Sequence, residues 1–290
     1  MTGVVRIAIL LAATGFGLPT GYAADPPVRL TESGTQKRDL VFRDEETLVY
    51  SEQIGPRQLA LMQLSLTTGE VTRLHPDFDN NEFEPAFSSD GVHYAFLQNV
   101  GNLNLRLVIR NRETEQDAVF AEGGFSGMRS PCFTADGTRL LYAYPVDGRQ
   151  IIWSCDLACE DRRRVIDSSG QNNWPTVTPD GRTLVFGSTR DGNYEIYSSG
   201  LSGEQVRRLT DVPAQDIRPR ISADGRRIAF TSNRDGNYEI YVMGIDGGDP
   251  RRVTEHIERD DYAAWHPDGR LAWVAERRGR FDIEFVSIEP

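Results

Sequence analysis

The chain is poor in residues that announce chemistry. Its 290 residues include three cysteines and four histidines. The histidines, His75, His93, His256 and His266, share no common position, whereas a three-histidine metal site needs converging side chains. No Gly-x-Ser-x-Gly nucleophile elbow occurs, and the serine of Gly124-Phe125-Ser126-Gly127 has no assignable base. Positive charge is also in deficit, with 32 Lys and Arg against 43 Asp and Glu and a net charge of -11. That balance argues against non-specific nucleic-acid binding, in which cations must meet phosphates. It equally disfavours an anionic membrane surface as partner. Long apolar runs are lacking too. The stretch Ile7–Ala13 is too short to span a bilayer, and no second one follows. No segment shows a helical period.

The short run has a different meaning. Arg6 precedes it and Gly21-Tyr22-Ala23-Ala24-Asp25 follows. A basic start, an apolar run and a small-residue site read as a secretory signal over residues 1–24, cleaved after Ala23 or Ala24. An uncleaved N-terminal anchor is the alternative. The product is expected outside the cytoplasm, periplasmic or secreted, with no stable membrane insertion.

What fills the rest is a repeat. Arg190–Tyr197 and Arg234–Tyr241 both read RDGNYEIY, 44 residues apart. Asp-Gly pairs begin at Asp90, Asp136, Asp180, Asp224 and Asp268, at spacings of 46, 44, 44 and 44, and Asp44 begins a degenerate sixth copy. Five residues before each Asp stand Asp39, Pro85, Pro131, Pro175, Pro219 and Ala263; three before stand Val41, Phe87, Phe133, Val177, Ile221 and Trp265. A short β-rich run follows each pair. In the fifth copy four strands can be read: Arg218–Ser222 (a), Arg227–Ser232 (b), Glu239–Met243 (c) and Arg251–Thr254 (d), joined by Gly-containing turns. A period in the forties with four strands marks a propeller blade. The sixth copy ends before a strand d, and Val28–Thr31 supplies a matching segment at the other end. The expected fold is an all-β, six-bladed propeller over residues 25–290, closed by the N-terminal strand completing the C-terminal blade, so that no long edge is exposed.

The unit Pro-x-apolar-Ser/Thr-x-Asp-Gly, then Arg-Asp-Gly-Asn-x-Glu-Ile-Tyr, then Arg-Arg-Leu/Val-Thr resembles the propeller repeat of the TolB family, the periplasmic component of the Tol-Pal envelope system. The resemblance covers residues 28–290 and is sharpest over 172–269. It implies a periplasmic scaffold that binds a protein at the propeller mouth. TolB carries a separate N-terminal domain, whereas here the repeat begins within a few residues of the expected cleavage site, so a stand-alone propeller is expected. Similar repeats precede peptidase domains in other families, but the repeats here leave no room for a hydrolase.

The candidate residues follow from this frame. The Asp of each Asp-Gly pair is read as turn chemistry. Asp191-x-Asn193-x-Glu195 and Asp235-x-Asn237-x-Glu239 resemble fragments of a calcium loop but supply too few ligands; a hairpin explains them, and no cofactor is expected, bound calcium being the less favoured reading. Export permits disulfides. Cys155 and Cys159 flank the c–d turn of the third blade and either pair with each other or stay free. Cys132 lies two strands away, roughly 9.5 Å, beyond disulfide reach. The face bearing the d–a and b–c loops should surround one mouth of the channel. Glu82, Asn172, Asp216 and Asp260 fall three residues before the repeat's proline position, with Glu84, Trp174, Arg218 and Tyr262 nearby, as are Asp77, Asp79, Glu255, Glu258 and Asp261. These suggest an acidic mouth with aromatic anchors for a basic envelope or secreted protein or peptide. The alternatives are a carbohydrate- or metal-dependent lyase or hydrolase using the channel, and a small-ligand sensor.

Overall fold

The Ser/Thr-x-Asp-Gly segments set the architecture. In the computed structural model, which describes residues 26–101, 104–121 and 127–288, each Asp bridges its own turn. Asp180 Oδ1 accepts from Thr178 Oγ1 at 2.6 Å and from the Arg182 amide at 3.0 Å, and Gly181 takes the left-handed φ of 69° that glycine allows without a Cβ clash. Asp90, Asp136 and Asp224 do the same in their copies, whereas Asp268, with His266 in place of the hydroxyl, accepts from the Arg270 amide at 3.0 Å. Four of the six aspartates thus close the a–b hairpin by one device, and Asp268 and Asp44 keep its amide half, capping Arg270 and Glu46.

Six four-stranded antiparallel sheets result. Their innermost strands, a, are Lys37–Phe42, Asn81–Phe87, Arg129–Phe133, Asn172–Val177, Asp216–Ile221 and Asp260–Trp265. Strand b is the most deeply buried part of each blade. Leu184, Val185 and Phe186 are fully buried, as are Ile228, Ala229 and Phe230, because blades stack face to face and cover both sides of a strand. The core lies between blades: Val185 and Ile196 of one pack against Ile228, Phe230, Tyr241 and Met243 of the next. The twin RDGNYEIY motif is internal structure. Arg190 stacks over Phe186 and Tyr197, Asp191 accepts from the Tyr197 hydroxyl at 2.5 Å, and Asn193 donates to the Val212 carbonyl at 2.9 Å. Glu195, fully buried, accepts from Thr210, Arg208 and the Val212 amide. Its oxygens are filled by N–H and O–H donors, the arrangement of a tied loop.

Ring closure occurs as the arithmetic of the repeat requires. Val28 pairs with Phe285 and Arg29 with Glu284 on the last strand, Arg280–Val286. Leu30 N donates to the Ile283 carbonyl at 2.7 Å, and Ile283 N to Thr31 Oγ1 at 2.9 Å. A buried cation reinforces this seam. The Lys37 side chain is fully buried; its Nζ lies 3.3 Å from Glu52 Oε1 of blade 1 and 3.7 Å from Asp282 Oδ1 of blade 6, and donates to the Phe281 carbonyl at 3.0 Å.

The first blade differs from the sequence reading in its alignment. In the first blade Leu40, not Asp39, takes the place of the proline, and Phe42, not Val41, holds the apolar column, since Val41 pairs with Val49 where Ala86 pairs with Ala95. The first a–b turn is one residue tighter, which shifted the alignment. All three cysteines are free thiols. Cys155 and Cys159 hydrogen-bond to each other, which raises Cys155 and lowers Cys159. The expected signal, residues 1–24, and the Gly124-Phe125-Ser126 segment lie outside the described residues. No described helix is long and apolar enough to cross a membrane.

Candidate functional site

Every strand a carries a bulge at the same place. The register slips between Arg38 and Val41, Phe83 and Ala86, Arg129 and Cys132, Asn173 and Thr176, Ile217 and Arg220, and Asp261 and Ala264. At each slip one non-glycine residue adopts a left-handed backbone: Asp39, Glu84, Ser130, Trp174, Arg218 and Tyr262, with φ of 57°, 52°, 57°, 55°, 54° and 57°. An L-residue pays on the order of 1 kcal/mol for that conformation. Six repetitions argue that the bulge is built in, since bulges re-aim side chains. Proline follows in four blades, where the bulge needs no ladder donor.

The bulges aim all six residues into one axial cavity of about 280 Å³. Arg218 is its centrepiece. Its guanidinium carbon lies 4.4 Å from the Tyr262 ring and 5.4 Å from that of Trp174, and Nη1 lies 3.3 Å from Asp261 Oδ2. Trp174 in turn packs at 5.0 Å against Tyr194, whose hydroxyl accepts from Asn173 Nδ2 at 2.8 Å. On the opposite wall the carboxylates link successive blades. Asp39 Oδ2 accepts from the Glu84 amide at 3.3 Å, and Glu84 Oε2 from the Ser130 amide. Arg38, Arg129 and Arg220 complete the lining.

Glu84 is pushed up to about 7, by burial first and by Asp39 second, against the pull of Arg129 and Arg38. Its folded pKa therefore exceeds the ordinary 4.5. The fold favours the protonated form, so this contribution to stability is complete below the unfolded pKa and is lost as pH rises through about 7. Glu84→Gln cannot ionise and should match the parent in acid but exceed it by about 2 kcal/mol at about pH 8. Urea midpoints at the two pH values check this; a constant difference would remove the assignment.

Trp174 owes its place to a glycine. It packs over Gly187, where a Cβ would come within 2.8 Å of Trp174 Cε3. The corresponding cross-strand residues in the other blades are Ser51, Leu97, Ala143, Thr231 and Val274. Gly187→Ala should displace the indole and cost about 1–3 kcal/mol. An unaltered near-ultraviolet circular dichroism spectrum would contradict that packing.

The sequence-predicted residues divide into two sets. Glu84, Trp174, Arg218 and Tyr262 meet in the cavity. Glu82, Asn172, Asp216 and Asp260 do not: each is fully buried behind strand a. Glu82 is held by His75 at 2.8 Å and Gln98 at 3.1 Å, Asp216 by Arg234 at 2.7 Å, and Asp260 by Arg277 at 2.7 Å. Asn172 accepts from Ser188 at 2.9 Å. Burial raises Asp216, and raises Asp260 to about 7, against the arginines. These four clamp strand a to the blade and form no acidic rim, because the intervening bulge breaks the alternation that would have kept them on the channel side. Glu32, Asp77, Asp79, Asp167, Asp211 and Glu255 are the exposed acids of the described d–a loops. The throat inside that rim is rich in arginine. Asp39, Ser130, Arg38, Arg129 and Tyr194 were not singled out. The usable signal was the residue just before the repeat's proline, Glu84, Ser130, Trp174 and Arg218, which differs in every copy beside a constant proline.

The remaining candidates are dispersed. His75 bonds Glu82 and Tyr94, His93 Asn111, His256 the Glu258 amide, and His266 the Glu45 carbonyl.

A family model described as the TolB beta propeller domain matches residues 126–289, more than half of the chain. No curated protein matches. Among solved structures, one described as a TolB of Agrobacterium tumefaciens is 20% identical, with a TM-score of 0.71 over 90% of this chain and 93% of that one. TolB of Acinetobacter baumannii is 21% identical with a TM-score of 0.71, over 83% of this chain and 64% of that one. An oligogalacturonate lyase in complex with manganese is 15% identical with a TM-score of 0.61, over 90% of this chain and 92% of that one. At such identities the structural likeness carries the fold alone.

Proposed function

The chain belongs to the TolB beta propeller domain family, and from that premise we propose that it is an exported, non-enzymatic binding protein of the cell envelope that takes a protein segment at the d–a/b–c face. The observation that carries this is the ring of six bulges. It spends backbone strain to present six different side chains at one rigid axial mouth, which suits recognition more than stability. Arg218 between Trp174 and Tyr262 is the composition of a binding hot spot. The outer acids would steer a partner that is basic where it meets the rim, while the throat arginines take carbonyl or carboxylate groups at the tip of that segment. Glu84, Trp174, Arg218 and Tyr262 are the contact residues of this reading. The signal over residues 1–24 would deliver the protein to the periplasm or beyond.

Photo-crosslinking pull-down from the native envelope tests it. Trp174→Ala and Arg218→Ala should each weaken the captured partner by about 2 kcal/mol, roughly thirtyfold, with the fold retained. Capture that is indifferent to both would overturn the throat as the site. Stoichiometric manganese, zinc or calcium in the purified protein would instead favour the lyase-type reading.

A further inference from the structure

We infer that the cleft at the ring seam is a second binding site, for the free α-carboxylate end of a polypeptide. It is a cavity of about 450 Å³ between blades 6 and 1, and Arg38 and Tyr262 belong to its lining and to that of the throat. The inference rests on reading this face as the one that meets proteins, but on different side chains.

Three guanidinium groups line the cleft. Among the described residues, Arg259 Nε is buried and has no hydrogen-bond partner, and Arg38 Nε, also buried, is 3.1 Å from Asp39 Oδ2 without hydrogen-bond geometry. Arg57, on the b–c turn of blade 1, is exposed and has no ion pair among the described residues. Buried donors are normally satisfied, so two orphans in one cleft call for an acceptor. The carboxylates of the cleft lining do not supply it, and Asp39, which lines the throat, meets Arg38 as an ion pair alone. Asp261 is already engaged by Arg218, Arg259 and Thr231, and Lys37 is neutralised by Glu52 and Asp282. Among the described residues Glu276 is the one lining carboxylate without an ion pair, and Arg38, Arg57 and Arg259 outnumber the lining's two carboxylates, Asp261 and Glu276. A carboxylate is the acceptor that a guanidinium fork fits best.

The rest of the lining specifies a peptide behind that carboxylate. The side-chain amides of Gln36, Gln53 and Gln58 have no hydrogen-bond partner among the described residues. Each sets a donor beside an acceptor, the complement of a peptide unit. Leu59, Val274 and Phe281 give an apolar floor for the terminal side chain. A saccharide is disfavoured because no flat aromatic face is free: Tyr262 already carries Arg218 at 4.4 Å, and Phe281 packs into the blade-6 core. Capture of a chain end in this way is a recurring recognition mode.

The test uses acetylated alanyl-alanyl-leucine and its C-terminal amide, titrated into the full mature protein while the glutamine side-chain amide resonances are followed. The acid should shift Gln36, Gln53 and Gln58, and the amide should bind at least about tenfold more weakly. Arg57→Ala, on an exposed turn, should weaken the acid about tenfold or more, whereas Trp174→Ala in the throat should leave it unchanged. Equal binding of acid and amide, no shift with about 10 mM of either, or an indifferent Arg57→Ala would overturn the proposal. So would loss on Trp174→Ala, which would place the peptide in the throat, or preferential binding of a uronic-acid trimer. Because the probe is a defined peptide, failure here leaves the pull-down result for the throat untouched.

Discussion

Lys37→Ala should destabilise the folded ring by about 3–5 kcal/mol, the cost of removing one partner from a buried ion pair. The Lys37 ammonium is fully buried between Glu52 and Asp282, one carboxylate from each side of the seam. Without it, two negative groups face each other across the joint that closes the molecule. The hydroxyls of Ser33 and Thr35 still reach Glu52, and Thr31 still reaches Asp282, but none carries positive charge. Lys37→Met, which keeps most of the hydrocarbon stem, should recover little, since the loss is electrostatic. Adding Glu52→Gln and Asp282→Asn to Lys37→Ala should recover much of it. Urea midpoints across this series decide the matter. A Lys37→Ala variant within about 0.5 kcal/mol of the parent would show that the pair is not holding the seam.

Deleting residues 26–31 should cost a similar amount, about 3–5 kcal/mol. The deletion removes the two-residue ladder to the last strand, the Leu30 bond to the Ile283 carbonyl and the bonds of Thr31 to Asp282 and Ile283. Each is worth roughly 1 kcal/mol net, and the half-buried Leu30 adds about another from area. At 2–4 °C per kcal/mol for a chain of this size, the melting temperature falls by about 10 °C. The strand Arg280–Val286 also becomes an unpaired sheet edge, which invites association between molecules. A synthetic peptide of the deleted segment should restore both melting temperature and monomeric behaviour. A deletion that melts with the parent would mean that the seam is held by side chains alone.

The fold was legible because blades are copies. Turn chemistry fixed by Asp and Gly, and b strands buried on both faces, recur in phase, so six weak signals add. Closure by Val28–Thr31 was legible for the same reason. The first blade was misaligned by one residue where its turn is tighter, and a single copy cannot reveal that. The site was half legible. Trp174 and Arg218 could be picked from their place beside the proline. Asp216 and Asp260, two residues earlier, could not be told apart from them, because strand alternation puts i and i+2 on one face and only the bulge separates them. A left-handed φ at tryptophan or arginine has no residue signature. The partners that neutralise the misplaced acids, Arg234 and Arg277, come from the b–c hairpins and meet strand a only in three dimensions.

Lys37 is also the only lysine in the chain. The sole ε-amine is therefore locked inside the joint, and ordinary acylating reagents have the chain's α-amino group as their one other amine target. Amine-directed crosslinkers and biotin esters would miss the binding face altogether, and surface immobilisation by amine coupling would orient every molecule alike. The same burial makes Lys37 a clock. Its slow acylation, located by mass spectrometry, would report how often the seam parts, because a sequestered amine reacts only during local opening. A protein whose single lysine marks the point where the circle is joined offers a direct reading of how long a closed ring stays closed.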